Sequence, residues 1–572
     1  MNVTRQRRPN VGFRGRLPSG SRRRVRVIVA GTAVLALTGA GVAQGSTAIF
    51  GRHRVGTQYP DGLQVSGDQA LQPIGDRLVT QFGKFMASTV SPDGRFLAAT
   101  SADKSVVLQV FELSSYRLVY TVGSASSVNR RLSDGTVGQE GPTYSPDGRT
   151  LWLPQMDRLT RFAVNADGTL GAATSVPLAK VNGHSALPGK SVFSADGSTL
   201  YVPVNGQNTV DALDPATGSV ERTWNVGIAP RQLAFAGTKL YVSNEGGRQA
   251  RPGDTTINSY GTPVPADAYL GTSTTGTVSV IDTARPSAAV RSVAVGLHPT
   301  ALYVKGRALF VANTNSDTVS VVDTGRDEVV QTIATRPWPS SKVGYEPDGI
   351  ALTGDGHLLV TLGRANAVAV YRYYGRPQEP VSALGLLPTD YYPEEVATVG
   401  SRVVVTNTRG IDARGPALTV YKGQGTVPVS GHGTHSTTGS LTRFTLPTDR
   451  ALARYTAAVF AQNGWGSRDV RQAGATKAKA VPVPARLGDP STVKHVFLLV
   501  KENRTYDQVF GDIGRGDGDP SLTQFGANVT PNQHALAQQF GLYDNVYDIG
   551  TNSAEGHNWL MQGDNPEYTE SD

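Results

Sequence analysis

The sequence predicts an all-β, seven-bladed β-propeller followed by a truncated α/β segment. Three observations carry that prediction. A turn-and-strand phrase recurs seven times between residues 91 and 407. Gly (65) and Pro (34) are abundant while charged residues make up only 17%, a balance typical of turn-dense β architectures and foreign to long helical ones. At Val493 the pattern changes to a continuous apolar run. A chain of 572 residues exceeds one ordinary core, so more than one domain is expected.

The phrase is an Asp/Gly turn, a β-rich strand, a small polar turn and a second strand. It reads Ser91-Pro-Asp-Gly-Arg-Phe-Leu-Ala-Ala-Thr, Ser145-Pro-Asp-Gly-Arg-Thr-Leu-Trp-Leu-Pro and Ser194-Ala-Asp-Gly-Ser-Thr-Leu-Tyr-Val-Pro. It returns as Gly237-Thr-Lys-Leu-Tyr-Val-Ser-Asn, Gly306-Arg-Ala-Leu-Phe-Val-Ala-Asn, Gly354-Asp-Gly-His-Leu-Leu-Val-Thr and Gly400-Ser-Arg-Val-Val-Val-Thr-Asn. The intervals of roughly 40–55 residues match a four-stranded propeller blade. One interval is longer, and its excess, 246–276, reads as an extended Gly/Thr/Pro-rich loop. The second strand alternates apolar and polar residues, as in Asp317-Thr-Val-Ser-Val-Val-Asp323, Thr277-Val-Ser-Val-Ile-Asp282 and Thr209-Val-Asp-Ala-Leu-Asp214. Glu328–Ile333 is then a third strand. Seven such units around an axis bury faces that none buries alone, and segment 59–83 is placed to supply the strand that closes the ring.

Tyr201-Val-Pro-Val-Asn-Gly-Gln-Asn-Thr-Val and Phe310-Val-Ala-Asn-Thr-Asn-Ser-Asp-Thr-Val resemble the repeat of the YVTN-type β-propeller family. The resemblance spans about residues 85–420. It implies a fold and, by family habit, a surface or periplasmic binding module, but no chemistry.

The formal charge of +8 does not point to nucleic acid. Residues 1–46 hold nine arginines and no acid; removing those nine leaves −1 for the rest. The basic stretch ends at Arg26, and Val27–Ala43 runs without charge. Gly41 and Ala43 suit a cleavage site near Ala43/Gln44, so residues 1–45 read as a signal peptide, with a retained N-terminal anchor as the alternative. Ser21-Arg22-Arg23-Arg24-Val25 resembles the start of a twin-arginine signal. An exported or cell-envelope location follows. Zero cysteines exclude disulfides and thiolate metal sites.

Residues 58–467 are assigned to the propeller. Near its end Thr448 caps a helix with Leu452, Tyr455, Val459 and Phe460 mostly on one face. Residues 468–492, centred on an Ala/Pro/Lys-rich tract, form a linker. From 493, His495-Val-Phe-Leu-Leu-Val500 suits a strand buried on both faces of a parallel sheet, and Lys501-Glu502-Asn503-Arg504 would emerge at its carboxyl end, where such sheets bind substrates. Thr530-Pro531 opens a helix that Gly541 stops. Leu542–Tyr547 reads as a second strand and Ser553 as the start of another helix, so a doubly wound sheet is expected to begin here.

Lys501-Glu-Asn-Arg-Thr-Tyr-Asp-Gln-Val-Phe-Gly511 resembles the E-N-R-[ST]-[FY]-D signature of the phosphoesterase family, which contains bacterial phospholipases C and acid phosphatases within the alkaline-phosphatase-like superfamily. Ser553-Ala-Glu-Gly-His557-Asn-Trp559 resembles its second element. The resemblance implies that Glu502 and Asn503 ligate a divalent metal ion and that Ser553 is the nucleophile. Its substrate would be a small phosphoester or a phospholipid. A hydroxyl at a helix N-terminus faces free amides and the positive dipole end, which favour a phosphate, and His557, one turn on, is placed to orient substrate, bind metal or assist the leaving group. Each group also has a plain alternative: Glu502-Asn503 a solvated turn, Ser553 an N-cap, His557 a packed helix residue, Thr551 a rival nucleophile. His432 and His435, the acidic loop Gly511–Asp519 and Arg515-Gly-Asp517 read as surface features. The family's domain extends well beyond 80 residues and brings further carboxylate ligands, so 493–572 is expected to be its N-terminal part only, with little hydrolysis by this chain. The alternative function is a non-catalytic propeller that binds a ligand or a cell-envelope partner.

Overall fold

The computed structural model describes residues 58–546 and 553–562, except 61, 65–69, 81–84, 103–105, 123–140, 260, 339–343, 409–417, 423–424, 430–438, 464, 466–477 and 485–488. The signal or anchor segment, His432, His435 and Thr551 lie outside the described residues.

The Ser-x-Asp-Gly turn explains why the repeat begins as it does. Ser91 Oγ donates to Asp93 Oδ1 at 2.6 Å, the same oxygen takes the Arg95 amide at 3.0 Å, and Ser91 Oγ accepts the Phe96 amide at 2.9 Å. Gly94 supplies the positive φ of 71° that closes the turn. Ser145/Asp147, Ser194/Asp196 and Thr353/Asp355 repeat the arrangement. These local bonds reverse the chain before any long-range contact exists.

Among the described residues most strands form seven four-stranded antiparallel sheets, six of them built in chain order from the inside outward. The innermost strands are Phe85–Val90, Thr143–Tyr144, Val192–Phe193, Ile228–Ala236, Pro299–Lys305, Pro347–Leu352 and Pro393–Val399. The expected second and third strands appear as Thr318–Asp323, Gly276–Asp282, Thr209–Leu213 and Glu328–Ala334. Within 246–276, expected as an extended loop, Thr256–Ser259 pairs with Thr262–Pro265 as a hairpin around Gly261 (φ 87°). The seventh sheet takes its outermost strand from upstream of the repeats: Asp76–Val79 pairs with Ser440–Thr445, with Leu441 opposite Leu78.

Between adjacent sheets the core is apolar and fully buried, as with Phe310, Leu358, Val360 and Ala369 or Leu108, Val110, Leu151 and Leu153. An asparagine at or near the end of several second strands has a specific task. Asn244 Nδ2 donates to the Thr277 and Ser279 hydroxyls, Asn313 to those of Thr318 and Ser320, and Asn407 to those of Ser440 and Thr442, all within 2.9–3.2 Å. Each ties strand two to strand three inside the sheet, where water cannot serve.

Helix α1, Asp449–Gln462, begins after Thr448 as the sequence predicts and buries Leu452 and Val459. It lies on the outer strand Ser382–Pro388 of the sixth sheet, whose Leu386 amide donates to Thr456 Oγ1 at 2.9 Å. Gly385 permits this approach, since a Cβ there would sit 2.6 Å from Thr456 Oγ1. At its first turn, Arg372 Nη2 donates to Asp449 Oδ2 at 2.8 Å.

Three short helices follow beyond the ring of sheets: α2 (Tyr506–Phe510), α3 (Pro531–Phe540) and α4 (Ser553–Gln562). Thr530, Pro531 and Gly541 bound α3 as expected. The two strands expected here are not formed. No described residue of 493–546 is in a strand, and Val496, Phe497 and Leu499 are 85–89% exposed. A parallel strand exists only through ladder bonds to neighbours and cover on both faces, and this segment supplies neither. The apolar run remains exposed. Among the described residues no helix is long and apolar enough to cross a membrane.

Candidate functional site

The Glu-Asn-Arg-Thr-Tyr-Asp motif folds as a turn entering α2. Thr505 is the N-cap: its side chain accepts the Gln508 amide, while the Gln508 side chain accepts the Thr505 amide, a reciprocal capping box. Asp507 takes the Asp519 amide at 2.7 Å, folding the glycine-rich loop back on α2. Asp512 Oδ1 meets His534 Nε2 at 2.8 Å and fastens that loop to α3. The Ala527 amide and His534 hold the Asp512 carboxyl below its ordinary range. Ahead of the cap, Lys501, Glu502, Asn503 and Arg504 are exposed. The Arg504 guanidinium lies 5.1 Å from the Phe525 ring centroid and donates to the Asn503 carbonyl at 2.6 Å.

Ser553 begins α4, exposed, and His557 follows one turn later on the same face. His557 Nδ1 is 2.8 Å from the Ser553 carbonyl. A carbonyl only accepts, so Nδ1 carries the hydrogen. The other nitrogen, Nε2, stands 3.4 Å from Glu502 Oε2. The structure thus brings together three of the four predicted site residues, from segments 50 residues apart in sequence. Asn503 lies beside them in the same exposed turn.

Both side chains of this pair are about half exposed. The separation is that of an ordinary histidine–carboxylate contact, and the N–H given to the Ser553 carbonyl fixes the ring's orientation. Among the described residues no group of three or more His, Cys, Asp or Glu could hold a metal ion, so any ion here relies on two such donors plus neutral oxygens. Arg515, Gly516 and Asp517 are exposed.

A second polar centre lies where the seven innermost strands meet. A cavity of about 340 Å³ is lined by every one of the seven sheets. Around it a belt of bonds runs from sheet to sheet. The Ser88 amide donates to Glu395 Oε2 (2.8 Å), Thr143 Oγ1 to the Ser191 carbonyl (2.8 Å) and the Lys190 amide to the Arg231 carbonyl (3.1 Å). Ser243 Oγ donates to the Thr300 carbonyl, Thr314 Oγ1 to Asp348 Oδ1 and Thr361 Oγ1 to the Glu394 carbonyl, at 2.8, 3.2 and 3.0 Å. Lys190 Nζ bridges Glu395 Oε1 (2.5 Å) and the Ser88 carbonyl (3.0 Å). Arg231 is buried between Glu245 (2.8 Å) and Glu394 (3.6 Å), and His298 reaches Glu245 at 3.2 Å.

Sequence reading missed this centre. Its signal is present, however: charged residues stand at or beside the first strand of several repeats, as in Lys190-Ser-Val, Arg231-Gln-Leu and Glu394-Glu-Val, where a turn alone would not need them. Burial pushes the Glu245 carboxyl up, but His298 and Arg231 outweigh it and hold the group at about 2, against an ordinary 4.5. A depressed carboxyl contributes stability that is complete above about pH 4.5 and is lost as pH falls toward about 2. Stability of the native chain should therefore fall across that window, and the Glu245→Gln variant should show a flatter profile there in denaturant titrations. Parallel profiles would disprove the role.

The sheets and their shared axis define a β-propeller protein. Solved structures with a similar course include hydrazine synthase of Kuenenia stuttgartiensis, at 16% identity and TM-score 0.43, covering 59% of this chain and 96% of that one. A catalytically inactive virginiamycin B lyase from Staphylococcus aureus with quinupristin is 12% identical at TM-score 0.42, covering 65% and 98%. The WD40 repeats of RRP9 are 11% identical at TM-score 0.44, covering 65% and 100%. These likenesses concern the fold alone. No family model matches the chain, and no curated protein does.

Proposed function

We propose that the seven sheets are the blades of one seven-bladed propeller of the YVTN type, and that the chain is an exported phosphoesterase-type hydrolase. Its site is the exposed turn at Glu502 and Asn503 together with Ser553 and His557. The observation that carries this reading is the 3.4 Å approach of Glu502 to His557, with the far side of the ring engaged by the Ser553 carbonyl. Export is supported by the basic, acid-free leader and the uncharged run that follows it.

Glu502, Asn503 and His557 would hold a divalent ion, which when bound polarises a phosphoryl oxygen and activates a hydroxyl nucleophile. Ser553, exposed at the first turn of α4, supplies that hydroxyl. Its attack on phosphorus breaks the bond to the leaving oxygen, and water then releases phosphate from the serine. Arg504, held by the Asn503 carbonyl and the Phe525 ring, supplies a planar cation for phosphate oxygens. The substrate is a small phosphoester or a phospholipid headgroup.

Calorimetric titration of the full chain with Mn²⁺ or Zn²⁺, alongside hydrolysis of p-nitrophenyl phosphate, tests this. Weak metal binding is expected, reduced roughly ten-fold or more by Glu502→Gln, with slow hydrolysis that requires the metal and disappears in Ser553→Ala. Metal affinity untouched by Glu502→Gln, or turnover that survives Ser553→Ala, would overturn the proposal.

A further inference from the structure

We propose that the exposed apolar run at residues 495–500 is a self-association surface, where it pairs antiparallel with the same run of a second copy of this chain. The inference does not rest on the phosphoester reading.

Val496, Phe497, Leu498, Leu499 and Val500 are 85%, 87%, 61%, 89% and 44% exposed. A single exposed leucine is ordinary, but five large apolar residues in succession mark a surface that something covers. The run holds no Pro or Gly, the residues that blunt strand pairing. It lies in neither helix nor strand, and among the described residues its backbone amides and carbonyls take no hydrogen-bond partner from this chain. Both of its edges are therefore open to strand addition. The five side chains present about 500 Å² of apolar surface. Two copies together bury about 1,000 Å², which reaches the lower bound of a specific interface.

The flanking charges select the partner and the register. Lys494 precedes the run, and Lys501 and Glu502 follow it. Set antiparallel against itself about Leu498, the run places Val496 opposite Val500, Phe497 opposite Leu499 and Leu498 opposite its own copy. Lys494 then faces Glu502 of the second copy, and the same pair forms at the other end. Glu502 is free to take part, since it is exposed and its contact with His557 engages one carboxylate oxygen. A slip by one residue either sets Lys494 against Lys501 or leaves Lys501 opposite Val496, so the register is fixed. A surface that complements itself under a two-fold rotation is what an isologous dimer requires. The lysines at the two ends also discourage growth into longer stacks. A two-stranded ribbon is marginal by itself, so the association is weak, with a dissociation constant of about 10–100 µM.

Sedimentation velocity of the full chain from about 2 to about 200 µM, at neutral pH, tests this. The sedimenting mass should rise from one chain to two. Leu498→Lys brings two lysines together on the two-fold axis and should hold the mass at one chain throughout. The position is exposed, so the fold should be kept, and circular dichroism checks that it is. Lys494→Glu should weaken pairing at least five-fold, and adding Glu502→Lys should restore it, because the exchange keeps opposite charges in register. Ser553→Ala should leave the association unchanged, so failure of pairing and failure of the phosphoester reading are told apart. A native chain that stays single across the range, association that survives Leu498→Lys, growth beyond two chains, or a charge exchange that restores nothing would each overturn the proposal. So would uptake of single chains by phosphatidylcholine vesicles without pairing, which would assign the run to a lipid surface.

Discussion

Replacing Arg77 by alanine should lower the stability of the first unfolding transition by about 3–5 kcal/mol, the usual cost of stranding a buried charge. Arg77 sits in Asp76–Val79, the strand that arrives from the start of the chain to complete the seventh sheet. Its guanidinium donates to Asp390 Oδ1 at 2.5 Å, and the Asp390 side chain is wholly buried in the segment joining the sixth and seventh sheets. Burial already pushes the Asp390 carboxyl upward, and Arg77 with the Ser440 hydroxyl, 2.8 Å away, pulls it back. Without Arg77 the carboxyl must either protonate or remain charged and unpaired, and both disfavour the native state. The loss reaches beyond one pair because the same strand fastens the ring. Arg443, opposite Asp76, pairs with it at 2.8 Å, lies 4.1 Å from the Tyr116 ring centroid and donates to the Leu113 carbonyl of the first sheet. Urea titration followed by circular dichroism reads the effect. Removing both charges in Arg77→Met/Asp390→Leu should restore most of the loss, and a single-variant loss below about 1 kcal/mol would refute the account.

Asp317→Ala should cost about 3 kcal/mol, and Asp317→Asn only about 1 kcal/mol. Asp317 follows the short turn between the second and third strands of the fifth sheet, with a left-handed φ of 51°. From there its carboxylate accepts the amides of Tyr345 (2.6 Å) and Glu346 (3.2 Å), at the entrance to the sixth sheet, and pairs with Arg336 at 3.2 Å. Alanine would leave two buried amides without their acceptor and would also occupy a backbone region that asparagine and aspartate tolerate better. The molecule itself provides the comparison. Asn208 (φ 58°) accepts the Ala229 amide and Asn366 (φ 49°) the Tyr392 amide, each reaching the first residues of the next sheet. An amide oxygen therefore suffices for the staple, and the carboxylate adds the arginine. Thermal melts of the two variants should separate in that order; equal midpoints would refute it.

These staples show how far the repeat could be read. The serine, aspartate and glycine of the turn phrase form local bonds, visible as spacing, whereas Asn244 and Asn407 reach hydroxyls 33–35 residues on and were not read from it. The helix at Thr448 was equally legible, because Leu452 and Val459 recur at helical period. Of the residues singled out by motif, His557 stands 3.4 Å from Glu502 and bonds the Ser553 carbonyl; their chemistry is a matter for the proposed experiment. The strands expected at His495–Val500 and Leu542–Tyr547 were misread, because a continuous apolar run records a preference for burial without supplying the neighbours that would bury it. The axial centre was missed for the opposite reason. Lys190, Arg231, Glu394 and Glu395 are scattered over 200 residues, and their shared place at or beside the first strand of a repeat shows a common position only once the sheets are set around one axis.

What the sequence determined by itself was the unit: a turn closed by its own side chains, strands with a two-residue period and a length suited to four of them. Those features depend on interactions between residues close along the chain. The tertiary structure decided closure, charge pairing and the cavity. Asp76 reaches Arg443, and Lys190 reaches Glu395, only because the sheets return to their starting point, and burial there changes what each charge costs and which partner it needs.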